Sequence, residues 1–269
     1  MKIGISSYAF RWAVGTRDFT PPDPLTPFSL LDKVAALGGE VVQVLDNLPL
    51  DGLPEGTLAD LARRAKELGL TLEVGIRGSR PEHLRRNLAV ARRLGARLMR
   101  VVLTDADWEP PFDELVAILE ALVPELRAAG VTVGIENHFH LTPAELASLV
   151  KAVGDPLVGV CLDPLNSITK LVGPSETVAT LAPFVVSLHF KDAVITRPRT
   201  GFYIAGCPLG EGLVDLPAML AAVRAAGRSP NLLVECWMDR LDDEGATLAQ
   251  EEAWAGQGIA YLRRLKQVI

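Results

Sequence analysis

Apolar residues along this chain change period repeatedly: short runs of β-branched and aliphatic residues give way to longer segments whose apolar positions recur every three or four residues. The short runs cover residues 2–8 (KIGISSY), 41–46 (VVQVLD), 71–76 (TLEVGI), 97–104 (RLMRVVLT), 131–136 (VTVGIE), 158–163 (VGVCLD), 185–190 (VVSLHF) and 232–236 (LLVEC). Between them lie helical patterns such as LADLARRAKELG, PEHLRRNLAVARRLG and FDELVAILEALVPELRAAG. Gly69, Gly95, Gly130 and Gly227 close helical segments, where left-handed C-caps are expected ahead of the next strand. Eight strand–helix units in 269 residues predict an α/β protein, a single (β/α)₈ TIM barrel occupying residues 1–269. The alternative, an open doubly wound sheet, carries a glycine-rich turn after its first strand, and here GISSYAF stands in its place. No linker or low-complexity stretch divides the chain.

Alternate residues of a barrel strand face the interior and the surrounding helices. In TVGIE, Val133 and Ile135 form the set that faces helices, which turns Thr132, Gly134 and Glu136 inward. The same reading sends Gly159, Cys161 and Asp163 inward on the sixth strand, and Leu233, Glu235 and Trp237 on the eighth. On the seventh, Val186, Leu188 and Phe190 are expected outward, with Ser187, His189 and Lys191 inward. Glu136, Asp163, His189 and Glu235 therefore converge from consecutive strands on the C-terminal mouth, the catalytic end of this architecture.

Carboxylates converging in a narrow mouth repel one another and lose hydration unless a cation neutralises them. One imidazole with three carboxylates is an oxygen-rich, hard donor set for one divalent metal. It favours Mn²⁺ first, or Mg²⁺, with Co²⁺ and Zn²⁺ also compatible.

At these residues the chain resembles the xylose isomerase-like TIM barrels, which include sugar phosphate isomerases, sugar epimerases and the endonuclease IV branch. GIENHF around Glu136, GVCLDPLNS around Asp163, SLHFKD around His189, PLGEGLVDLPAML after the seventh strand and LLVECW around Glu235 carry the resemblance. It implies that Glu136, Asp163, His189 and Glu235 form a single metal site and that Glu136 and Glu235 also transfer protons. Many epimerases, and the nuclease branch, place a histidine three residues after the acid of the sixth strand; here Asn166 stands there. The nuclease branch also takes histidines from the second and third strands, where this chain offers Asp46, Asn47 and Arg77.

A metal on neighbouring carbonyl and hydroxyl oxygens acidifies the C–H alpha to the carbonyl, and flanking carboxylates move the proton. Return to the same carbon is epimerisation, and return to the neighbouring carbon is isomerisation. Loss of CO₂ from a 3-oxo acid reaches the same enediolate. The expected enzyme is thus a metal-dependent isomerase or epimerase of a sugar, sugar phosphate or hydroxy-keto acid. A 3-oxo acid decarboxylase or a dehydratase of sugar acids is the alternative. A catalytically silent binding barrel is a reading from another class, but it has no need of all four ligands.

Around the metal site, His138, Asn166, Lys191, Arg77, Arg197 and Trp237 are the candidate substrate contacts. Lys191 lies one inward step above His189, placed for a substrate oxyanion or for an ion pair with Asp192 or another rim acid. Arg77 is set either to clamp an anion or to make a rim salt bridge. The stretch 193–212 (AVITRPRTGFYIAGCPLGEG) is long for a βα connection, rich in Gly and Pro, and expected to form a lid carrying Arg197 and Arg199. Trp237, Trp12 and Phe10 are candidates for apolar walls. Glu73 and Arg100, deeper on neighbouring strands, are expected to form a structural ion pair. His140 and His83 read as surface residues.

Charge and cysteine usage narrow the partners. With 27 basic against 33 acidic residues and no basic block, an electrostatic nucleic-acid or membrane partner is not expected. No apolar run approaches the roughly 20 residues of a membrane span. Cys161, Cys207 and Cys236 are an odd set without CxxC spacing, and the chain starts MKIGISSYAF without a signal region, so a cytoplasmic location is expected. Self-association as a homo-oligomer stays open.

Overall fold

The computed structural model, which describes residues 1–268, has ten strands in chain order. They are β1 (Ile3–Ser6), β2 (Val41–Val44), β3 (Thr71–Arg77), β4 (Leu98–Val102), β5 (Thr132–Glu136), β6 (Val158–Leu162), β7 (Val185–Phe190), β8 (Asp192–Thr196), β9 (Tyr203–Cys207) and β10 (Asn231–Val234). Eight of them, all but β8 and β9, pair in parallel and close into the predicted barrel, with β10 against β1 at the seam. Around it run α1 (Arg11–Val14), α2 (Pro27–Ala36), α3 (Glu55–Glu67), α4 (Pro81–Leu94), α5 (Phe112–Ala129), α6 (Pro143–Val153), α7 (Pro174–Leu181), α8 (Leu216–Ala225) and α9 (Glu244–Val268).

The helical segments form where apolar spacing and caps agree. In α5, Leu115, Leu119, Leu122 and Leu126 fall on one buried stripe, each contributing about 1.5–3 kcal/mol by leaving water. Gly130 ends that helix with φ of 65°, and Gly69, Gly95 and Gly227 take the same left-handed conformation, as expected. In α6, Thr142 and Glu145 close a reciprocal capping box, which fixes the chain's return just after the Glu136–His138 stretch.

The inward parity holds with one correction. Val186 does not face the helices: it lies over Gly134 and Gly159, whose missing side chains make its space, since a Cβ on Gly159 would sit 2.6 Å from Val186 Cγ1. The cause is a register shift between β6 and β7, where Val160 pairs with Val185 but Cys161 pairs with Ser187. Ser187 and His189 beyond it point inward as expected.

Within the stretch expected to form a lid, β8 and β9 pair as an antiparallel hairpin. Its root is hooked by Asp192, whose carboxylate accepts backbone N–H groups of Ala193, Gly210, Gly212 and Val214. Its tip is exposed, including Phe202 and Ile195.

Candidate metal and active site

Glu136 closes β5, Asp163 follows β6, His189 lies within β7 and Glu235 follows β10, so all four project from strand ends into one mouth. All four are buried. His189 Nδ1 lies 3.3 Å from Glu235 Oε2, 3.8 Å from Glu136 Oε2 and 3.9 Å from Asp163 Oδ2. Asp163, His189 and Glu235 can each offer an atom within a cluster compact enough for one ion.

The donor atoms are prepared for such an ion. His189 Nε2 contacts Gln43 Oε1 at 2.7 Å, and since that oxygen only accepts, Nε2 carries the proton and Nδ1 keeps its lone pair. Nδ1 is buried without a hydrogen-bond partner, and Asp163 Oδ2 faces the Lys191 ammonium at 2.7 Å. A buried imidazole nitrogen ordinarily has a partner, and a metal is one that it can share with neighbouring carboxylates. Asp163 is aimed by its other oxygen, which accepts the backbone N–H groups of Leu165 and Asn166. Ser6 donates to Glu235 Oε2 at 2.9 Å.

Permanent cations share the mouth with the acids. Lys191 Nζ stands 2.7 Å from both Asp163 Oδ2 and Glu235 Oε1 and ion-pairs with each. Burial alone would lower the Lys191 pKa, but Asp163, Glu235 and Glu136 outweigh it and hold the amine charged. Burial alone would raise the Glu235 carboxyl, but Lys191 and His189 hold it well below the usual range. The expected pairing of Lys191 with Asp192 is absent, because Asp192 is occupied at the hairpin root.

The expected Glu73–Arg100 ion pair does not form. Arg100 reaches up to Glu136 through Nε and donates to Asp46 Oδ1 at 2.8 Å. Glu73 instead accepts from Asn231 and Gln43, and burial raises its pKa against these two hydrogen bonds. Asp46 also takes Arg77 Nε at 3.2 Å and the Tyr8 hydroxyl at 3.0 Å. Burial would raise the Asp46 carboxyl, but Arg100 and Arg77 hold it below its ordinary value. The Tyr8 hydroxyl is pushed up to about 12 by burial and by Asp46.

Among the other candidates, Asn166 donates to Glu136 Oε1 at 2.7 Å. His138 lies 3.5 Å from Arg77, and burial followed by Arg77 and Arg100 lowers its pKa to about 4, so its ring is neutral. Trp237 lies beneath the Lys191 ammonium, 4.3 Å from the ring centroid. Arg197 is exposed at the hairpin tip, and the structure brings it to none of these groups. Phe10 is in the core, while Trp12 donates to the Met238 carbonyl. His140 and His83 pair with Glu109 and Asp51 away from the cluster.

Asp46, Arg100, Gln43 and Ser6 are parts of the site that the sequence reading passed over. Parity offered a signal for three of them: Ser6, Gln43 and Arg100 share the inward rows, with Ser6 paired to Gln43 and Arg100 flanked by Gly75 and Gly134. A small cavity of about 100 Å³, lined among others by Tyr8, Arg77, Arg100, Glu136, Lys191 and Trp237, opens over the cluster. A cavity of about 1070 Å³ lies at the opposite end of the barrel around Glu73, Thr71 and Asn231, and none of the four clustered residues lines it.

The family described as xylose isomerase-like TIM barrel matches residues 31–265. Across 264 residues, 97% of this chain and 95% of the other, the sequence is 34% identical to the 3-oxo-isoapionate decarboxylase of Pectobacterium atrosepticum. Among solved structures, D-psicose 3-epimerase with D-tagatose from Clostridium cellulolyticum superposes with a TM-score of 0.73 at 17% identity, covering 98% of this chain and 99% of that one. A xylose isomerase-like TIM barrel protein from Mycobacterium smegmatis in complex with magnesium gives 0.70 at 20% identity, covering 96% of each chain. At these identities the structural likeness is one of fold.

Proposed function

We propose, for a chain that belongs to the xylose isomerase-like TIM barrel family, a divalent-metal-dependent decarboxylation of a short, polyhydroxylated 3-oxo acid. Charge balance in the mouth carries this reading. Asp46, Glu136, Asp163 and Glu235 contribute four formal negative charges, and Arg77, Arg100 and Lys191 three positive ones. Counted with neutral imidazoles, the sum is minus one, and a divalent ion makes it plus one. One substrate carboxylate cancels that excess, whereas a neutral ketose leaves it buried. The decarboxylase activity named for the relative of 34% identity supports the same substrate class.

An ion held by Glu136, Asp163, His189 and Glu235 would supply Lewis-acid polarisation of the 3-oxo group; Mn²⁺ is the first to test. The protein's own groups do the rest. Arg77 and the neutral His138 stand on the side of the mouth away from Glu235 and orient the acid. Lys191, kept protonated and fixed over Trp237, faces negative charge that develops on the carbonyl oxygen. The bond from the alpha carbon to the carboxylate breaks, its electron pair forms the enediolate, and CO₂ departs. Glu235 is held ionised and Lys191 holds its proton, so the proton that replaces CO₂ comes from water.

Isomerisation or epimerisation of a ketose is a second reading, supported by the presence of Glu136 and Glu235 in one mouth. It requires two exchanging carboxyl groups, yet Glu136 has both oxygens engaged, one by Arg100 and one by Asn166. The test is a screen of 3-oxo sugar acids, ketoses and sugar phosphates with Mn²⁺ in D₂O. Release of CO₂ with one deuterium at the alpha carbon is expected. Turnover of a ketose without CO₂ release would replace decarboxylation by the second reading. Protein that binds no divalent ion would leave Lys191 as the cluster's own cation and remove the metal from the proposal.

A further inference from the structure

Below the mouth, a file of polar side chains crosses the barrel interior from the N-terminal end to His189. The backbone N–H of Lys2 donates to Asn231 Oδ1 at 3.0 Å. Asn231 Nδ2 donates to Glu73 Oε1 at 2.7 Å, and Gln43 Nε2 donates to Glu73 Oε2 at 2.9 Å. Gln43 Oε1 then meets His189 Nε2 at 2.7 Å. Gln43 faces Glu73 directly across the β2–β3 ladder, which is why the two side chains meet.

The side chains as placed give each link one polarity. A backbone N–H can only donate, so Asn231 must turn its oxygen to Lys2 and its amide hydrogens to Glu73. Glu73 receives an amide from each side and acts as acceptor for both. Gln43 must then present its amide hydrogens to Glu73 and its oxygen to His189. The Ser187 hydroxyl, 3.3 Å from Gln43 Nε2, either accepts or donates and imposes no direction. Cys161 Sγ, 3.4 Å from His189 Nε2, is too weak a partner to compete with the amide oxygen.

We infer that Asn231, Glu73 and Gln43 are positioning residues forming an orientation relay that fixes the tautomer of His189, keeping the proton on Nε2 and the Nδ1 lone pair toward the carboxylates. The inference rests on the metal reading only for its purpose, since the relay itself is a property of the metal-free protein. It explains why an acid is kept inside the barrel one layer below the chemistry: an acceptor on both sides is the one group that reverses the sense of the amide chain at that point.

The relay makes an unusual prediction for Glu73→Gln, a substitution of nearly equal shape. The introduced amide must give its oxygen to Asn231 and its hydrogens to Gln43. Gln43 then flips, turns its hydrogens to His189, and the imidazole proton moves to Nδ1. Adding Asn231→Asp restores the original sense, because the acceptor on both sides has only moved one link toward Lys2.

The tautomer is read in metal-free protein from long-range ¹H–¹⁵N correlations of its four histidines, with His189 assigned by its loss in His189→Asn. Wild type should show Nε2–H. Glu73→Gln should show Nδ1–H and bind Mn²⁺ 10- to 100-fold more weakly, as when an outer partner of a metal ligand is lost. The double variant should recover both. Nδ1–H in wild type, or Nε2–H with undiminished Mn²⁺ affinity in Glu73→Gln, would overturn the relay, and the wild-type spectrum decides even if the single variant fails to fold. Tautomer inversion in a protein that binds no Mn²⁺ would uphold the relay and remove the metal reading instead.

Discussion

The two ends of the barrel differ in a way that cavity size misrepresents. The N-terminal end opens into about 1070 Å³, and its buried acid, Glu73, is satisfied by two neutral amides. The C-terminal mouth holds only about 100 Å³, yet crowds four acids, three permanent cations and two imidazoles around it, with Nδ1 of His189 left without a hydrogen bond. Empty volume alone marks where side chains fail to meet. A dense set of buried charges with a free lone pair marks where the protein has left a place for something else.

The largest expected contrast comes from cutting a ligand at one end and a rim cation at the other. Asp163→Ala or His189→Ala should abolish stoichiometric metal in elemental analysis and lower turnover by at least about 10³-fold. Arg97→Ala, at the rim of the larger cavity, should leave both within about twofold. Equal losses at the two ends would break the contrast.

Next in size are the two glutamates within the mouth. Glu235→Gln should retain metal and, with water supplying the proton, keep kcat within about tenfold; a loss of about 10²- to 10⁴-fold would assign proton transfer to Glu235 and favour the second reading. Glu136→Gln leaves the buried Arg100 short of a counter-charge and should act first on stability, with a loss of about 3–5 kcal/mol in urea titration. Identical profiles would deny the division of labour between them.

Arg100→Met tests the same ion pair from its other side and should cost a similar 3–5 kcal/mol, because Asp46 and Glu136 both lose a partner. If each of the two single variants costs that much while Glu136→Gln combined with Arg100→Met costs clearly less than their sum, the pair is coupled as the structure shows. Strict additivity would contradict it.

The smallest effect lies behind the mouth, where Glu251 on α9 accepts the backbone N–H groups of Trp12 and Ala13. Burial raises its carboxyl to about 7, against those hydrogen bonds and the nearby Lys33 and Arg11. A folded pKa above the unfolded one means that the folded chain holds a proton the unfolded chain has released. The stabilisation is complete below about pH 4.5 and lost as pH rises through 7, on the order of 3 kcal/mol for this buried group. Urea titrations between those values should show the slope in wild type and lose it in Glu251→Gln; an unchanged slope would assign it elsewhere.

The fold and the meeting of Glu136, Asp163, His189 and Glu235 in one mouth were legible because period and parity are local properties of each strand. Arg100 was not, for a reason of register: Arg100 is level with Gly75 and Gly134, so Glu73 lies one inward step below it and Glu136 one step above. Parity cannot choose between them. Asp46 settles the matter by drawing the guanidinium upward, while the amides of Gln43 and Asn231 satisfy Glu73. Val186 was misread because a bulge adds a residue without any sign in composition. The hairpin within the lid stretch went unread because the Asp192 hook that holds its root depends on backbone groups eighteen to twenty-two residues away.

That hook turns the hairpin into a cantilever. Its root is clamped by four backbone amides, Tyr203 braces its outer strand against Asp239, and its end is unsupported. An arm held this way tolerates changes of length at the tip, provided residues are added or removed in pairs. An odd change would reverse the faces of one strand and set Ile195 and Ile204 out of step. The arm is therefore the part of the molecule that evolution or an engineer can lengthen, shorten or redecorate without moving an atom of the carboxylate–histidine cluster beneath its root.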